Sequence, residues 1–410
     1  MTPDPATLLH YLGGNPLSPV KRGRLLTPAV GPRRAPEVPV ASAVAPLTVL
    51  VLEGEHQLTG AVLFCLSRQA GLTVHLLTRN PRHHYRYSRY VKGYHAFAPD
   101  KPEAEFVAYV RHVAQATRAQ VLLPIDVAGM RFAIAHRTAL ASAVRVLPLP
   151  TAVNYEIAAD KGLLAAFMQY HHIPAPDTII DIQDGLAAKL VGFQFPVLLK
   201  PIEGAGGRGI ARYQNPAALL QAVAELPAGS RYIIQNCLDG YDIDCNVLYQ
   251  NGQLVAHSIQ KGLVPASGDY APTEAIEFVH NDAVLAVVDR LMKALHWNGV
   301  AHLDLRYDAK DQQIKVIEIN TRFWLTVVGS AVAAKVNFPV LACQAAAGRP
   351  VVQGPFALGR YIPFAKFLKY RFGRQGQARA GVAFAFRDTS LWAYIGDPLT
   401  KLYRLFVDVD

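Results

Sequence analysis

From Leu47 onward, short apolar runs alternate with helically periodic segments. Leu47-Thr-Val-Leu-Val-Leu-Glu53 has the nearly unbroken apolar character of a strand buried on both faces. The spacing then predicts a helix over 59–70, a C-cap at Gly71, a strand over 73–78, a helix over 103–117 and a strand over 120–124. Strands alternating with helices build an open parallel sheet, and ligands of such sheets sit beyond the strand carboxyl ends. Those ends fall at Glu53-Gly54, Arg79-Asn80 and Asp126. The first strand runs into Glu-Gly-Glu-His with no glycine fingerprint, which argues against a nicotinamide cofactor there.

The pattern changes after Asn154. A helix over 155–170 carries Asp160-Lys161. Strand signals follow at 195–200, 210–213, 232–235, 243–249, 254–260, 299–307 and 314–320, with helices over 217–226 and 282–296. Asn236-Cys-Leu238-Asp-Gly240 reads as a turn, and Asn251-Gly252 as a hairpin turn. This half is α+β with antiparallel pairs.

Between two of those strands lies Lys200-Pro-Ile-Glu-Gly204-Ala-Gly206-Gly207-Arg-Gly209-Ile210, which contains Gly-x-Gly-x-x-Gly. A dinucleotide fingerprint opens directly into a helix, whereas here the next helix starts only after Asn215-Pro216. Strand, glycine loop, strand describes a hairpin. No Gly-Lys-Ser/Thr makes it a Walker loop. Free N–H groups of a glycine hairpin suit phosphate oxygens, and the alternative is an ordinary glycine-rich hairpin.

Composition changes this picture little. The chain has 410 residues, is 51% hydrophobic and 18% charged, and carries a formal net charge of +10, which favours anionic partners. Cys65, Cys237, Cys245 and Cys343 show no metal-binding spacing and read as reduced core thiols. Such reduced thiols lead to the expectation of a cytoplasmic protein, and no stretch resembles a signal peptide or a membrane span. The Pro/Arg-rich residues 1–45 read as an irregular arm, and His83-His-Tyr-Arg-Tyr-Ser88-Arg89-Tyr90 as an exposed aromatic-basic loop. His171-His172 closes a helix, where a cation complements the dipole. The basic aromatic stretch Phe364-Ala-Lys-Phe-Leu-Lys-Tyr-Arg-Phe372 reads as a helix packing its aromatic face on the body, with contact to a membrane surface as the alternative. Trp392, Tyr394 and Tyr403 suggest that the end of the chain is folded.

The densest chemistry lies in the last hairpin, Ala301-His-Leu-Asp304-Leu-Arg306-Tyr and Lys315-Val-Ile-Glu318-Ile-Asn320-Thr-Arg322. Glu318 and Asn320, two apart on a strand, share one face with Asp304 opposite. Three oxygen-bearing side chains on an apolar hairpin are costly unless a cation or hydrogen bonds satisfy them. Magnesium with phosphate oxygens suits such a set, and Arg322 adds a planar donor. The alternative is a buried salt bridge of Asp304 or Glu318 with Arg306 or Arg322.

Taken in order, these pieces resemble the ATP-grasp superfamily over about residues 46–350. The order is a small parallel domain, Asp160-Lys161, Leu199-Lys200-Pro201, the glycine hairpin, a hinge strand, then Asp304 and Glu318-Ile319-Asn320-Thr321-Arg322. Ser88-Arg89-Tyr90 and Asn320-Thr-Arg-Phe-Trp324 resemble the carboxylate–amine ligase and carbamoyl-phosphate-synthase-like branch. The resemblance implies an ATP-grasp fold, α/β and α+β. A parallel pre-ATP-grasp domain would span 46–150 and an ATP-grasp domain 151–350, with a glycine-hairpin lid over about 170–235 and an antiparallel metal-binding subdomain. The basic aromatic segment 351–410 lies outside it.

The resemblance also implies roles. Lys161 and Lys200 would contact ATP phosphates, Lys200 near the adenine side, and Gly204, Gly206, Gly207 and Gly209 would close over the β and γ phosphates. Gln235 and Leu238 would hold adenine through backbone groups, and Asp242 the ribose hydroxyls. Asp304, Glu318 and Asn320 would hold one or two magnesium ions, a set that also suits manganese. Arg322 would stabilise the transferring phosphoryl group, with Arg306 a second catalytic cation. Lys261, Arg306 and Tyr270 are candidates for the acceptor pocket.

The activity implied is ATP- and Mg-dependent ligation, with small-molecule carboxylate and amine substrates, no nucleic acid, and oligomeric state left open. The alternative is a nucleotide-binding protein of this fold without turnover. Several positions depart from the pattern: Gln235-Asn236 where an acid is common in the hinge, Asp242 for Glu, Asp304 for Glu, and Asn-Thr-Arg for Asn-Pro-Arg. The hinge changes bear on nucleotide affinity and base preference; none removes the metal face.

Overall fold

The structure, a computed structural model, describes residues 46–202, 204, 206–264, 273–351, 353–372 and 383–400. The arm over 1–45, Tyr270 and Tyr403 lie outside the described residues, as do the side chains of Trp392 and Tyr394. Five parallel strands form the first sheet in the order Gly93–Ala96, Leu72–Thr78, Leu47–Leu52, Val121–Pro124, Arg145–Val146. Leu47–Leu52 is central and nearly all buried, which explains its apolar run. Phe106, Val110 and Val113 of helix Glu103–Thr117 pack with Leu50, Leu77 and Leu122 of this sheet.

The helix expected over 155–170 is two helices, Ala152–Ala159 and Lys161–Tyr170. Asp160 leaves helical geometry at φ −95°, ψ 119°, and its carboxylate accepts from the N–H groups of Gly162 (2.8 Å) and Leu163 (2.9 Å). The cap restarts the helix and so places Lys161 at its first residue, aimed outward from a helix N-terminus.

The glycine loop is a hairpin, as its flanking pattern predicts. It joins Val197–Pro201 to Ala211–Tyr213, antiparallel, with Leu199 opposite Ala211. Helix Pro216–Ala224 begins afterwards, capped by Asn215, which accepts from Ala218 N–H at 3.0 Å. These strands, Tyr232–Asn236 and Thr178–Ile179 form a four-stranded sheet. Its core of Ile182, Leu190, Val197, Leu199, Leu219 and Ile234 is small and its own.

The third sheet is antiparallel, in the order Gln313–Asn320, Gly299–Asp308, Gly240–Gln250, Gln253–Val264, Ala275–Phe278, Gly359–Tyr361. Helix Asp282–Ala294 packs on strands of this sheet and buries Val284, Val288 and Leu291. The last strand brings residues beyond 350 into the fold. Helix Phe364–Phe372 then buries Phe367 and Tyr370 beside Val264, Ala275 and Ile362, so its aromatic face packs on the body. Among the described residues no helix is long and apolar enough to cross a membrane. All four cysteines are free, three of them buried.

Two local expectations are corrected. The stretch around His83 is not an exposed loop: His83, His84, Tyr85 and Ser88 are buried, while Arg86, Tyr87 and Arg89 remain outside. The cause is a contact that no local pattern encodes. Asp397, from the far end of the chain, accepts from Ser88 Oγ at 2.5 Å and from Arg89 N–H at 3.0 Å. His83 Nε2 lies 2.9 Å from Glu53 at the end of the first strand. At the other histidine pair, the helix-end carbonyls of His171 and His172 accept from Arg290, a cation from a different helix. Burial and Arg290 push the His171 imidazole below its ordinary pKa, so it is not the dipole's cation.

Candidate active site

Three pieces far apart in sequence meet at Lys161. Its Nζ donates to Ile202 O at 3.3 Å and to Gly204 O at 3.2 Å, and lies 3.4 Å from Glu318 Oε2. One ammonium thus joins a helix N-terminus, the glycine loop and the last hairpin. Gly204, Gly206, Gly207 and Gly209 all have positive φ (125°, 68°, 75° and 77°). A Cβ at Gly206 would meet nothing within 4 Å, so glycine is required there by conformation and not by space.

Lys200 lies one strand inward and is 7% exposed. Its Nζ donates to Gln235 Oε1 at 2.6 Å, and Gln235 Nε2 donates to Thr178 Oγ1 at 3.0 Å. Burial pushes the Lys200 ammonium down to about 8, with Glu318 pulling the other way and Lys161 adding to the fall. The hinge amide Gln235 is therefore the neutral partner of a buried cation.

The last hairpin delivers more than its two strands. In register, Asp244 faces Asp304, and Asp304 faces Glu318, so three carboxylates sit in a row across three adjacent strands. Neither Arg306 nor Arg322 neutralises Asp304 or Glu318, which overturns the salt-bridge alternative. Asp304 Oδ1 lies 2.9 Å from His302 Nε2, and its Oδ2 accepts from Asn320 Nδ2 at 3.3 Å. Burial alone would raise Asp304, but His302, Glu318 and Asn320 outweigh it and hold its carboxyl below the ordinary range. Its neighbours then meet a charge already in place. Glu318 is pushed up to about 7 by burial and Asp304, against the pull of Lys161. Asp244 is likewise pushed up to about 7 by burial and Asp304, against His302. A row in which one carboxylate ionises easily and two resist is short of positive charge, and oxygen donors of this kind fit a hard divalent cation.

Arg306 is ion-paired with Asp242 and donates to Gly240 O at 2.9 Å, so the candidate ribose carboxylate and the second candidate cation hold each other. Arg322, just past Asn320, donates to Phe323 O at 2.7 Å, and among the described residues no carboxylate pairs with it. Leu238 lies in the connection between Tyr232–Asn236 and Gly240–Gln250, where Cys237 N–H donates to Pro196 O at 3.0 Å. Lys261 is corrected as an acceptor-pocket candidate. It pairs with Ile243, on the face opposite Asp244, and its Nζ sits 4.1 Å from the Tyr241 ring centroid.

Sequence reasoning missed Asp244, Asn246, Gln260 and His302. The signal was available in the alternation Asp242-x-Asp244-x-Asn246 and Ser258-x-Gln260, and in His302 two residues before Asp304. Two cavities, of about 320 Å³ beside Tyr241 and Tyr307 and about 540 Å³ beside His280 and Arg360, contain none of these residues. The converging charges and perturbed carboxyls favour the carboxylate face over either hollow.

A family profile described as ATP-grasp domain matches residues 158–326, from the end of helix Ala152–Ala159 to just past Arg322. Over those residues the chain carries an ATP-grasp domain. It is 26% identical over 173 residues to the carbamoyl-phosphate synthase of Methanobrevibacter smithii, a match covering 40% of this chain and 46% of that protein. The match thus spans less than half of that relative's length. Among solved structures it is similar to an L-amino acid ligase from Bacillus licheniformis, with a TM-score of 0.55, 18% identity and coverage of 74% of this chain and 75% of that one. It is also similar to the biotin carboxylase domain of Hydrogenobacter thermophilus 2-oxoglutarate carboxylase, solved with MgADP and bicarbonate. There the TM-score is 0.59, with 16% identity and coverage of 76% and 72%. These likenesses show the fold.

Proposed function

We propose that the protein is an ATP- and magnesium-dependent ligase that activates a small-molecule carboxylate as an acyl phosphate and joins it to an amine. The observation that carries this reading is Lys161 Nζ, within 3.4 Å of both the glycine-loop carbonyl and Glu318. One ammonium is in contact with both the loop and the carboxylate row. On the same reading, 46–150 is the pre-ATP-grasp domain, 151–350 the ATP-grasp domain, and about 170–235 its lid.

Asp304, Glu318 and Asn320 would hold magnesium, which would supply positive charge to offset that of the phosphates. Lys161 and Lys200 bind phosphate oxygens, and the loop from Gly204 to Gly209 covers them and excludes water. Gln235 and Leu238 flank the base, and Asp242, released from Arg306, reaches the ribose. A carboxylate oxygen of the substrate attacks the γ-phosphorus and the bond to ADP breaks. The amine nitrogen then attacks the acyl carbon, phosphate leaves with the bonding pair, and the amine gives up a proton. Arg322 faces the oxygens on which charge builds.

Phosphate release from ATP, measured across panels of carboxylates and amines, tests the reading. Release that needs both partners is expected. Mg-ATP binding without release in any pairing would instead identify a nucleotide-binding protein without turnover.

The lid makes a separate prediction. The loop residues 206–210 pack against little, so their amides should exchange quickly without nucleotide and about tenfold or more slowly with Mg-ATP. Hydrogen exchange read by mass spectrometry checks this, and an unchanged rate would remove the loop from the nucleotide site.

A further inference from the structure

Beyond the magnesium set lies a chain of side chains whose hydrogen-bond directions fix one another. It begins at Asp244, whose Oδ2 accepts from the side-chain amide of Gln260. Gln260 Nε2 donates to Asp244 Oδ2 at 3.0 Å, so Gln260 Oε1 points the other way, toward Asn246 Nδ2 at 3.2 Å. Asn246 Nδ2 also donates to Ser258 Oγ at 3.0 Å, and Asn246 Oδ1 is therefore turned to His302 Nδ1 at 2.6 Å. Asn246, Ser258 and Gln260 are 0%, 0% and 2% exposed, so water cannot rearrange this chain.

The consequence falls on the imidazole. An acceptor oxygen at Nδ1 puts the ring proton there. Nε2 then faces Asp304 Oδ1 at 2.9 Å, a contact that a proton or a metal cation bridges. Nδ1–H fixed by an amide carbonyl, with Nε2 presented toward a carboxylate, is how a metal-ligating histidine is held. The plane of His302 is fixed from the side as well, by Trp324 stacked at 5.7 Å and 17°.

We propose that Asp244, His302 and Asp304 form a divalent transition-metal site beside the magnesium set, with His302 Nε2 as its nitrogen ligand. One ligand atom from each residue lies within 4.8 Å of the others. Metal–ligand bonds of about 2.1 Å allow these atoms up to about 4.2 Å apart, so closure takes at most about half an ångström. Two carboxylates and an imidazole suit manganese or zinc better than magnesium, which rarely takes nitrogen. Asp304 is shared with the magnesium set, but the site does not depend on the ligase reading and is tested without nucleotide.

The test is Mn2+ titration of the full chain in nucleotide-free buffer, read by electron spin resonance and by spin-echo modulation from coordinated 14N. Wild type is expected to show 14N modulation. His302→Gln should abolish the modulation and weaken Mn2+ at the coupled site at least tenfold. Asn246→Leu, which removes the Nδ1 acceptor, should weaken it about tenfold. Glu318→Gln should retain the modulation, which separates this site from the magnesium set. Wild-type protein saturated with Mn2+ but lacking 14N modulation would mean that a proton, not a metal, bridges His302 and Asp304, and would overturn the proposal. Modulation that survives in His302→Gln would overturn it too. The wild-type measurement stands even if a variant fails to fold.

Discussion

Glu318→Gln is expected to lower ATP turnover by about a hundred- to a thousandfold while leaving the fold intact. The substitution keeps the shape of the side chain and removes one negative charge from the carboxylate row. In the ligand-free protein that charge is unwelcome, because burial and Asp304 hold the Glu318 carboxyl up to about 7. The folded state therefore loses little when it becomes an amide. The lost partner of Lys161, at 3.4 Å, is offset by relief of repulsion with Asp304. With magnesium and triphosphate present the balance reverses, since the amide cannot neutralise the cation that phosphoryl transfer needs. Steady-state phosphate release and a thermal melt on the same preparation check both halves. Wild-type turnover in the variant would remove Glu318 from the metal set.

Lys200→Met should separate binding from folding in the opposite direction. Lys200 is 7% exposed and burial brings its ammonium from 10.5 down to about 8. That fall corresponds to about 3 kcal/mol against the charged form. Met keeps the packing of the stem, removes the charge, and forfeits the bond to Gln235, which is worth about 1.5–3 kcal/mol. Ligand-free stability near neutral pH should then be unchanged or higher by about 1 kcal/mol.

The sign also fixes a pH window. Between about 8 and 10.5 the unfolded chain binds a proton at Lys200 that the folded chain has released, so this group raises stability as pH rises through that window. Below about pH 8 both states are protonated and the contribution is flat. Lys200→Met should lack the rise. Mg-ATP at a hundredfold excess over Kd stabilises wild type by about 2.7 kcal/mol, and a hundredfold weaker Kd reduces that to about 0.4 kcal/mol. Melts of both proteins with and without Mg-ATP, at two pH values, read all of this together. An equal ATP-induced shift in the variant would make Lys200 structural.

The sequence by itself determined most of the long secondary elements and part of the carboxylate face. Apolar runs marked the buried strands, period-2 spacing put Glu318 and Asn320 on one side, and the strand after Gly209 excluded a dinucleotide turn. These are local signals, written within ten or so residues. Tertiary structure decided what depends on which strands lie side by side. Asp244 joins Asp304 and Glu318 only because Gly240–Gln250 pairs with Gly299–Asp308, and nothing near Asp244 announces that register. Lys261 looked like a pocket cation but falls on the opposite face, because parity across a hairpin is set by the pairing and not by the residue. Asp397 buries Ser88 from more than 300 positions away. The charge states of the row follow from the same cause: dehydration and neighbouring charge act through space, so a carboxyl near 3.8 in the chain becomes one near 7 only where the fold has put another carboxylate beside it.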